Sequence, residues 1–417
     1  MILVVANLNE KETGGNKRAL RAVKEYIEHG LEVGIVVLTS EKKPSLKIKN
    51  PELLRHIVGI AYLQGIPFVF GGRSLTDLLG MKKVYLKMYS QPFSVDAVVS
   101  MHESPEALIA TKKLANLYGV PKVAILQLPP FYANSIRVKN INNALIRYYG
   151  LLMMPFYSLL QMISIKKLWN KSKDLLKDFD LIMPISRSIA FEMGKMYETV
   201  HPVDPGVSLD ESDLQNIQEI NKKIKKSKNL LIFPARADPL KGIAEAIYAL
   251  KLIKNKQNEV KLLITGKIGR KSSLIIRLLS NRLRVSQNVI LTGYLPTRTL
   301  YKYMRMSKVA VYPSHIDGFP YSVLECLSLG TPVVAYGIPA LAFNYSRADG
   351  VYLVPEGDVA ALASQVINLL SSNNSIEQKF EHADWKSIIS NEISILYRFI
   401  GIQKPINQTK TKESNEH

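Results

Sequence analysis

Short apolar runs recur along this chain at intervals that leave room for one amphipathic helix between each pair, and that alternation restricts the fold more than any other feature. Parallel strands need a crossover of a dozen or more residues, and strands covered on both faces read as continuous Val/Ile/Leu runs. Both conditions describe α/β units built on parallel sheets. The first series of strand candidates is Ile2–Ala6, Val33–Leu38, Pro67–Phe70, Ala97–Ser100, Val123–Leu126, Leu181–Pro184 and Val200–Val203. Helices fill the gaps, among them Asn16–His29, Pro105–Tyr118 and Ser188–Tyr197. A second series runs through Leu230–Phe233, Val260–Thr265, Val289–Leu291, Val309–Tyr312 and Pro332–Ala335, with helices at Gly242–Ile253, Thr297–Met306, Pro320–Leu329 and Val359–Leu370.

The alternation predicts two doubly wound, Rossmann-like domains. Residues 1–207 form the first and residues 230–383 the second, joined by the polar stretch 208–229, which ends in NKKIKKSKN. Residues 384–402 read as a final helix returning to the first domain, and 403–417 as a polar, disordered tail. A length of 417 residues suits this division. With 47% hydrophobic and 22% charged residues, disordered, collagen-like and coiled-coil classes are excluded. The lone Cys326 excludes an intramolecular disulfide and every multi-cysteine metal site, and it suits a reducing compartment. The opening MILVVAN lacks a basic lead-in and reads as a buried strand rather than an export signal, which predicts a cytoplasmic chain.

The formal charge is +20, which points to an anionic substrate, polyanion or membrane surface. Each half of the chain, split at residue 207, carries +10, so no discrete basic tail stands out and nucleic acid is not an expected partner. One segment breaks the alternation. Ala144–Ile165 is apolar and aromatic for 22 residues and is followed by Lys166, Lys167, Lys171, Lys173 and Lys177. Arg147, Pro155 and Gln161 argue against a spanning helix. Two readings remain: a segment lying in the membrane interface with its lysines against anionic headgroups, or a buried helical hairpin.

The most specific chemical signal is Ser314–Pro332, SHIDGFPYSVLECLSLGTP. A strand runs into a Gly-containing turn, and Pro320 occupies a favoured first helical position. The free N–H groups of Tyr321 and Ser322 then make a phosphate-attracting helix start. Asp317 and Glu325 flank that turn; they would repel phosphate but suit hydrogen bonds from sugar and ribose hydroxyls. A second cluster is FPARADPLKG, where Arg236 and Lys241 stand at a strand's carboxyl end and could neutralise a diphosphate leaving group. The alternative for Arg236 is a cap with a surface ion pair. Thr13, Gly14 and Gly15 close the loop after the first strand, where two glycines permit close backbone approach or simply make a turn.

These residues together resemble the retaining glycosyltransferases of family 4, with the GT-B fold of two Rossmann-like domains facing a cleft. The resemblance is strongest over residues 230–370 and rests on LIFPARADPLKGI, VILTGYLP, YPSHIDGFPYSVLECLSLGTPVVAYG and VYLVPEGDVAAL. It is looser in the first domain, over GGNKRALRAVKEYIEHGLEVGIV and DAVVSMHESPEALIA. It implies that Arg236 and Lys241 hold the donor diphosphate, that Glu325 takes the ribose hydroxyls, and that Asp317 with Gly318 and Phe319 takes the hydroxyls of the transferred sugar. Pro320 and Tyr321 would sit at the donor, Gly14 and Gly15 would approach the diphosphate from the first domain, and Tyr294 and Leu295 would lie by the base.

Two departures from the family pattern stand out. Asp317 replaces a customary glutamate, and Gln127 stands where a histidine is frequent; His102, at an earlier strand end, is either catalytic or structural. The resemblance further implies a nucleotide-diphosphate sugar as donor and no required cofactor or metal. Asp178-Phe179-Asp180 is formally D-x-D but reads as a strand-start turn. The expected acceptor is a glycan, polyprenyl-linked and met at the cytoplasmic membrane face, with the insertion 129–177 on the acceptor side. Such an enzyme would belong to glycan assembly, protein glycosylation included, and would be a peripheral membrane protein. A transferase with a soluble acceptor and a catalytically weak scaffold are the alternatives.

Overall fold

The computed structural model describes every residue except 9–13, 40–50, 65–68, 71–72, 75–82, 91–93, 151–154, 195–199, 373–382 and 402–417. Thr13, part of the strand expected at Pro67–Phe70 and the tail from Gln403 therefore lie outside the described residues. Two parallel sheets organise the rest. The first has seven strands in the order Lys83–Met88, Ile57–Gln64, Val33–Thr39, Ile2–Ala6, Ala97–Ser100, Lys122–Leu126 and Leu181–Pro184. All pair in parallel except Lys83–Met88, which runs antiparallel on the edge beside Ile57–Gln64. The second has six parallel strands in the order Val289–Gly293, Lys261–Thr265, Leu230–Phe233, Val309–Tyr312, Val333–Tyr336 and Val351–Val354.

Helices cover the faces because the central strands are buried along their whole length, as in Ile2–Ala6 and Val309–Tyr312. Their ends follow local chemistry. The Pro105–Tyr118 helix begins at Ser104, whose hydroxyl accepts from the Ala107 N–H, has Pro105 in its first turn, and stops at Gly119 in the left-handed region. The closing helix, Trp385–Ile400, begins at Asp384, which caps the Ser387 N–H at 2.9 Å. It packs on the Gly14–Glu28 helix of the first unit. There Arg18, fully buried, pairs with Glu392, donates to the Gly206 carbonyl at 3.1 Å, and shares Glu392 with the Tyr26 hydroxyl at 2.5 Å. A buried charge is tolerated only when paired and hydrogen-bonded in this way.

Several expected elements change. Ile57–Gln64, Lys83–Met88, Val351–Val354 and the Arg270–Arg282 helix are additions. Val200 contributes a single bridge to Ile182 rather than a strand, and Val69–Phe70 belongs to a two-residue ribbon with Arg73–Ser74 outside the main sheet. The polar stretch 208–229 holds a helix, Glu211–Lys223, capped by Asp210 and buried along Asp213, Ile217 and Ile220. The apolar segment is split between two helices, Ser135–Gly150 and Pro155–Leu176. No helix among the described residues is long and apolar enough to cross a membrane.

Candidate active site

In open parallel sheets the chain winds away in two directions from one internal pair of strands, and the loops beyond their carboxyl ends part to leave a crevice. In the second sheet that pair is Leu230–Phe233 and Val309–Tyr312. Arg236 and Lys241 follow the one, and Asp317 follows the other. In the first sheet the pair is Ile2–Ala6 and Ala97–Ser100, followed by Gly14 with Gly15 and by His102.

Lys241 and Asp317 form the centre of the second unit's crevice. Lys241 Nζ donates to Asp317 Oδ2 at 2.7 Å and to the Ile316 carbonyl at 2.8 Å. The same carboxylate oxygen accepts from the Tyr312 hydroxyl at 2.5 Å, and Oδ1 accepts from the Gly318 N–H at 3.1 Å. Two local devices set this geometry. Asp238 caps the Pro239–Lys241 turn, and Gly242 ends it at φ 77°, where a Cβ would lie 1.9 Å from the Pro313 carbonyl oxygen. Only glycine fits there, which brings Lys241 against the Ser314–Phe319 loop. Arg236 is exposed and its guanidinium has no partner among the described residues, so the reading of Arg236 as half of a surface ion pair is not met.

Glu325, one turn into the Tyr321–Ser328 helix, is buried and accepts from Tyr301 at 3.1 Å and from Lys17 at 3.4 Å. Lys17 comes from the first unit, as does Arg21, and both lie over the Tyr321 ring. Asp213 completes the cluster, accepting from Lys17 at 3.0 Å, Arg21 at 2.6 Å and Tyr301 at 2.8 Å. Burial pushes the Glu325 carboxyl up from its ordinary range, and Lys17 opposes that only in part. Burial also works against the charge on Lys17, but Glu325 and Asp213 outweigh it and hold the ammonium above its ordinary range. Burial raises the Tyr301 phenol too, with Glu325 and Asp213 adding to it, so it stays a donor.

The first unit closes over this ground. Gly14 lies so near Tyr321 that a Cβ would sit 3.3 Å from its ring. The Gln127 carbonyl meets Gly318, leaving 2.1 Å for an added Cβ, and Ser188 Oγ donates to the Gly318 carbonyl at 3.0 Å. Gln127 Nε2 donates to the Met101 carbonyl at 2.6 Å, while its Oε1 is buried without a partner among the described residues. Glu103, which accepts from the Gln127 N–H at 3.1 Å, has its carboxyl raised by burial. His102 Nε2 accepts from the Asn7 N–H at 3.1 Å, and burial lowers its pKa to about 4. It is thus a neutral ring with one nitrogen occupied by a backbone donor.

A second polar bridge joins the units through the Ser135–Gly150 helix. Arg137 pairs with Glu192 at 2.9 Å and with Glu356, and donates to the His315 carbonyl at 2.6 Å. Asn140 donates to Glu356 at 2.7 Å, and Arg147 to the Gly357 carbonyl at 3.0 Å. His315 itself lies between Glu356 and Glu245, at 2.8 and 3.3 Å.

Of the residues singled out in the sequence, Gly14, Lys241, Asp317, Gly318, Tyr321 and Glu325 converge on the line where the units meet. Gly15 follows Gly14 in the first turn of its helix, and Phe319 and Pro320 connect Gly318 to the Tyr321 helix. Tyr294 is exposed just past the end of Val289–Gly293, with Leu295 half-buried beside it. Asp178 pairs with Lys112, and Asp180 accepts from the Lys122 N–H at 2.8 Å, so both serve the strand start. No cluster of three potential metal ligands occurs among the described residues. The residues missed were Lys17, Asp213, Tyr301 and Tyr312. Asp213 carried a readable signal: Asp210 followed by Asp213 and by Leu214, Ile217 and Ile220 is a capped amphipathic helix.

The family model of glycosyl transferases group 1 matches residues 215–383. A capsular polysaccharide biosynthesis glycosyltransferase of Staphylococcus aureus is 25% identical over 187 residues, 44% of this chain and 48% of that protein. The chain spans about half the length of the curated relatives it matches. Among solved structures, a sucrose-phosphate synthase from Thermosynechococcus elongatus superposes with TM-score 0.66 at 15% identity, covering 95% of this chain and 98% of that one. HepE from Anabaena, in complex with UDP and glucose, gives 0.56 at 14% identity, covering 96% and 95%. The fold is GT-B, two Rossmann-like α/β units.

Proposed function

We propose that this GT-B chain, with its group 1 glycosyl transferase match, is a retaining family 4 enzyme that moves a hexose from a nucleotide-diphosphate sugar to a glycan acceptor. The observation that carries the proposal is the Lys241–Asp317 pair at the second sheet's crevice, with exposed Arg236 five residues before Lys241 and buried Glu325 in the helix after Asp317. A donor needs those chemistries: cations for the diphosphate, and carboxylates for the sugar on one side of it and the ribose on the other. In this proposal Lys241, neutralised by Asp317 in the unliganded chain, shares its protons with the diphosphate as Asp317 takes up hydroxyls of the sugar.

The acceptor oxygen bonds to the anomeric carbon on the face from which the diphosphate departs. The bond from that carbon to the phosphate oxygen breaks, and the acceptor's proton passes to the leaving phosphate. Catalysis is then positioning and charge stabilisation, with Arg236 and the N–H groups before Val323 aimed at the departing charge. No enzyme nucleophile and no required metal enter this scheme. The acceptor we propose is lipid-linked and presented at the cytoplasmic membrane face. The Pro155–Leu176 helix supports this by turning Leu159, Ile163 and Leu168 outward while burying Ser158, Gln161, Ser164 and Ser172. A soluble acceptor is the second reading, favoured by Ala144, Leu145 and Tyr148, which are buried in the preceding helix.

The test is a thermal-shift screen against UDP, GDP, ADP and their sugars. A ligand at a hundred times its dissociation constant stabilises by ~2.7 kcal/mol. One nucleotide should shift wild type and leave Arg236→Ala unshifted at the same concentration; no shift with any of them overturns the donor assignment. Transfer to polyprenyl-linked rather than free glycans separates the two acceptor readings.

A further inference from the structure

The positive charge is not spread as evenly as the two halves of the chain suggest. Between Val260 and Ile316 stand eleven Lys and Arg and not one Asp or Glu. The rest of the second half, from Ser208 onward, carries a net charge of −1, so this stretch accounts for all of that half's excess. Neither the donor site nor the Pro155–Leu176 helix uses it.

Four of the eleven lie on the Arg270–Arg282 helix, which has no acidic residue of its own. Its inward face is already satisfied by Ile275, Ile276 and Leu279, all buried. Its outward face presents Arg270, Lys271, Arg277 and Arg282, and among them Leu274 and Leu278, 57% and 45% exposed. No carboxylate pairs with Arg270, Arg277 or Arg282 among the described residues. Four cations with no acid on the same helix leave the face positive at some cost in self-repulsion, and two exposed leucines among them add an apolar cost. Both costs reverse against a surface that is anionic outside and apolar beneath. The face also continues into the first unit, since Lys271 lies 5.6 Å from the centre of the Tyr149 ring at the end of the Ser135–Gly150 helix.

We propose that the outward face of the Arg270–Arg282 helix docks on an anionic phospholipid surface, with the leucines in the headgroup boundary and the cations on phosphates. A nucleic acid would account for the cations but gives Leu274 and Leu278 nothing to do, and they stand where stacking would require aromatic rings. The docking face is separate from the donor site, so vesicle binding is read without nucleotide and its outcome is independent of the transferase reading.

The experiment is flotation of the full chain with phosphatidylcholine vesicles, with and without a third of phosphatidylglycerol. Binding should require the anionic lipid and weaken as salt rises. Arg277→Gln/Arg282→Gln should bind about twenty-five-fold more weakly, at the ~1 kcal/mol each basic side chain contributes near such a surface. Leu274→Ser/Leu278→Ser should lose roughly tenfold, and lowering the salt should not restore it. Thermal melting of both variants should match wild type, because every altered side chain is exposed. The proposal is overturned if wild type fails to float at low salt, or if both variants float like wild type while Leu159→Ser/Ile163→Ser does not. It is equally overturned if duplex DNA binds more tightly than the vesicles and only the arginine variant loses it.

Discussion

Gly318→Ala tests how tightly the two units meet. An added Cβ would stand 2.1 Å from the Gln127 carbonyl oxygen and 2.8 Å from Ile189 Cδ1, both in the first unit. Ordinary contact begins at 3.4 Å, so the backbones must separate by about 1.3 Å, because a close-packed boundary has no space to absorb a methyl group. That shift falls on the residue next to Asp317 and breaks the Ser188 bond to the Gly318 carbonyl. Overpacking of this kind costs ~1–3 kcal/mol. Displacing a reacting group by an ångström costs about a hundredfold in rate. Urea unfolding and steady-state transfer kinetics measure the two effects. Gly269→Ala is the control, since nothing lies within 4 Å of its added Cβ. If Gly318→Ala unfolds with the wild-type midpoint and turns over within about twofold of wild type, the close approach of Gln127 to the Asp317 loop is wrong.

Four further outcomes are expected. Arg236→Ala should leave stability within ~0.5 kcal/mol, because the side chain is exposed and without a partner among the described residues, yet remove nucleotide binding in calorimetry; retained binding would take Arg236 out of the donor site. Glu325→Gln should weaken nucleotide binding by at least about tenfold, as loss of a hydrogen bond to a charged group does. Its folded carboxyl is raised by burial, so the native state holds more protons than the unfolded one above pH 4.5 and wild type loses stability as pH rises from there; the variant's urea midpoint should lack that loss. Arg18→Met should cost ~3–5 kcal/mol by stranding Glu392, and limited proteolysis should then release the Trp385–Ile400 helix. His102 titrates near 4 folded and near 6.5 unfolded, so stability should fall as pH drops through that interval, and His102→Asn should lessen the fall.

The two-unit architecture was legible because a buried parallel strand announces itself as an uninterrupted apolar run. Ile2–Ala6 and Val309–Tyr312 match their expected bounds for that reason. Edge elements hide. Lys83–Met88 alternates exposed with more buried positions, and Val351–Val354 is only half-buried, so neither forms a fully buried run. The Lys241–Asp317 meeting could be expected from a cation and an acid following adjacent strands of one sheet. The Lys17–Glu325 contact could not, because 308 positions separate the pair and only the placement of one unit on the other brings them together. Asp213 hides differently: the lysine-rich end of residues 208–229 reads as a linker, although Glu211–Lys223 is a capped helix.

The contacts between the units also decide how a ligand enters. Asp317 and Glu325 are only 9% and 8% exposed, and Glu325 accepts from the Lys17 ammonium of the first unit, so a hydroxyl group must displace that ammonium to take its place at Glu325. Several bridges across that line are polar, Lys17 to Glu325, Ser188 to the Gly318 carbonyl, Arg137 and Asn140 to Glu356, while Phe191 and Phe343 meet across it with ring centres 5.3 Å apart. Water can take over each of the polar partners, so those contacts cost less to part than an apolar core of equal area. The Trp385–Ile400 helix is held otherwise, by Trp385, Ile389 and Leu396 in the core and by the Arg18–Glu392 pair. Under the proposed donor reading, a ribose bound at Glu325 would take the place of the Lys17 ammonium. Lys17 keeps Asp213 as its counter-ion throughout, so the exchange strands no buried charge.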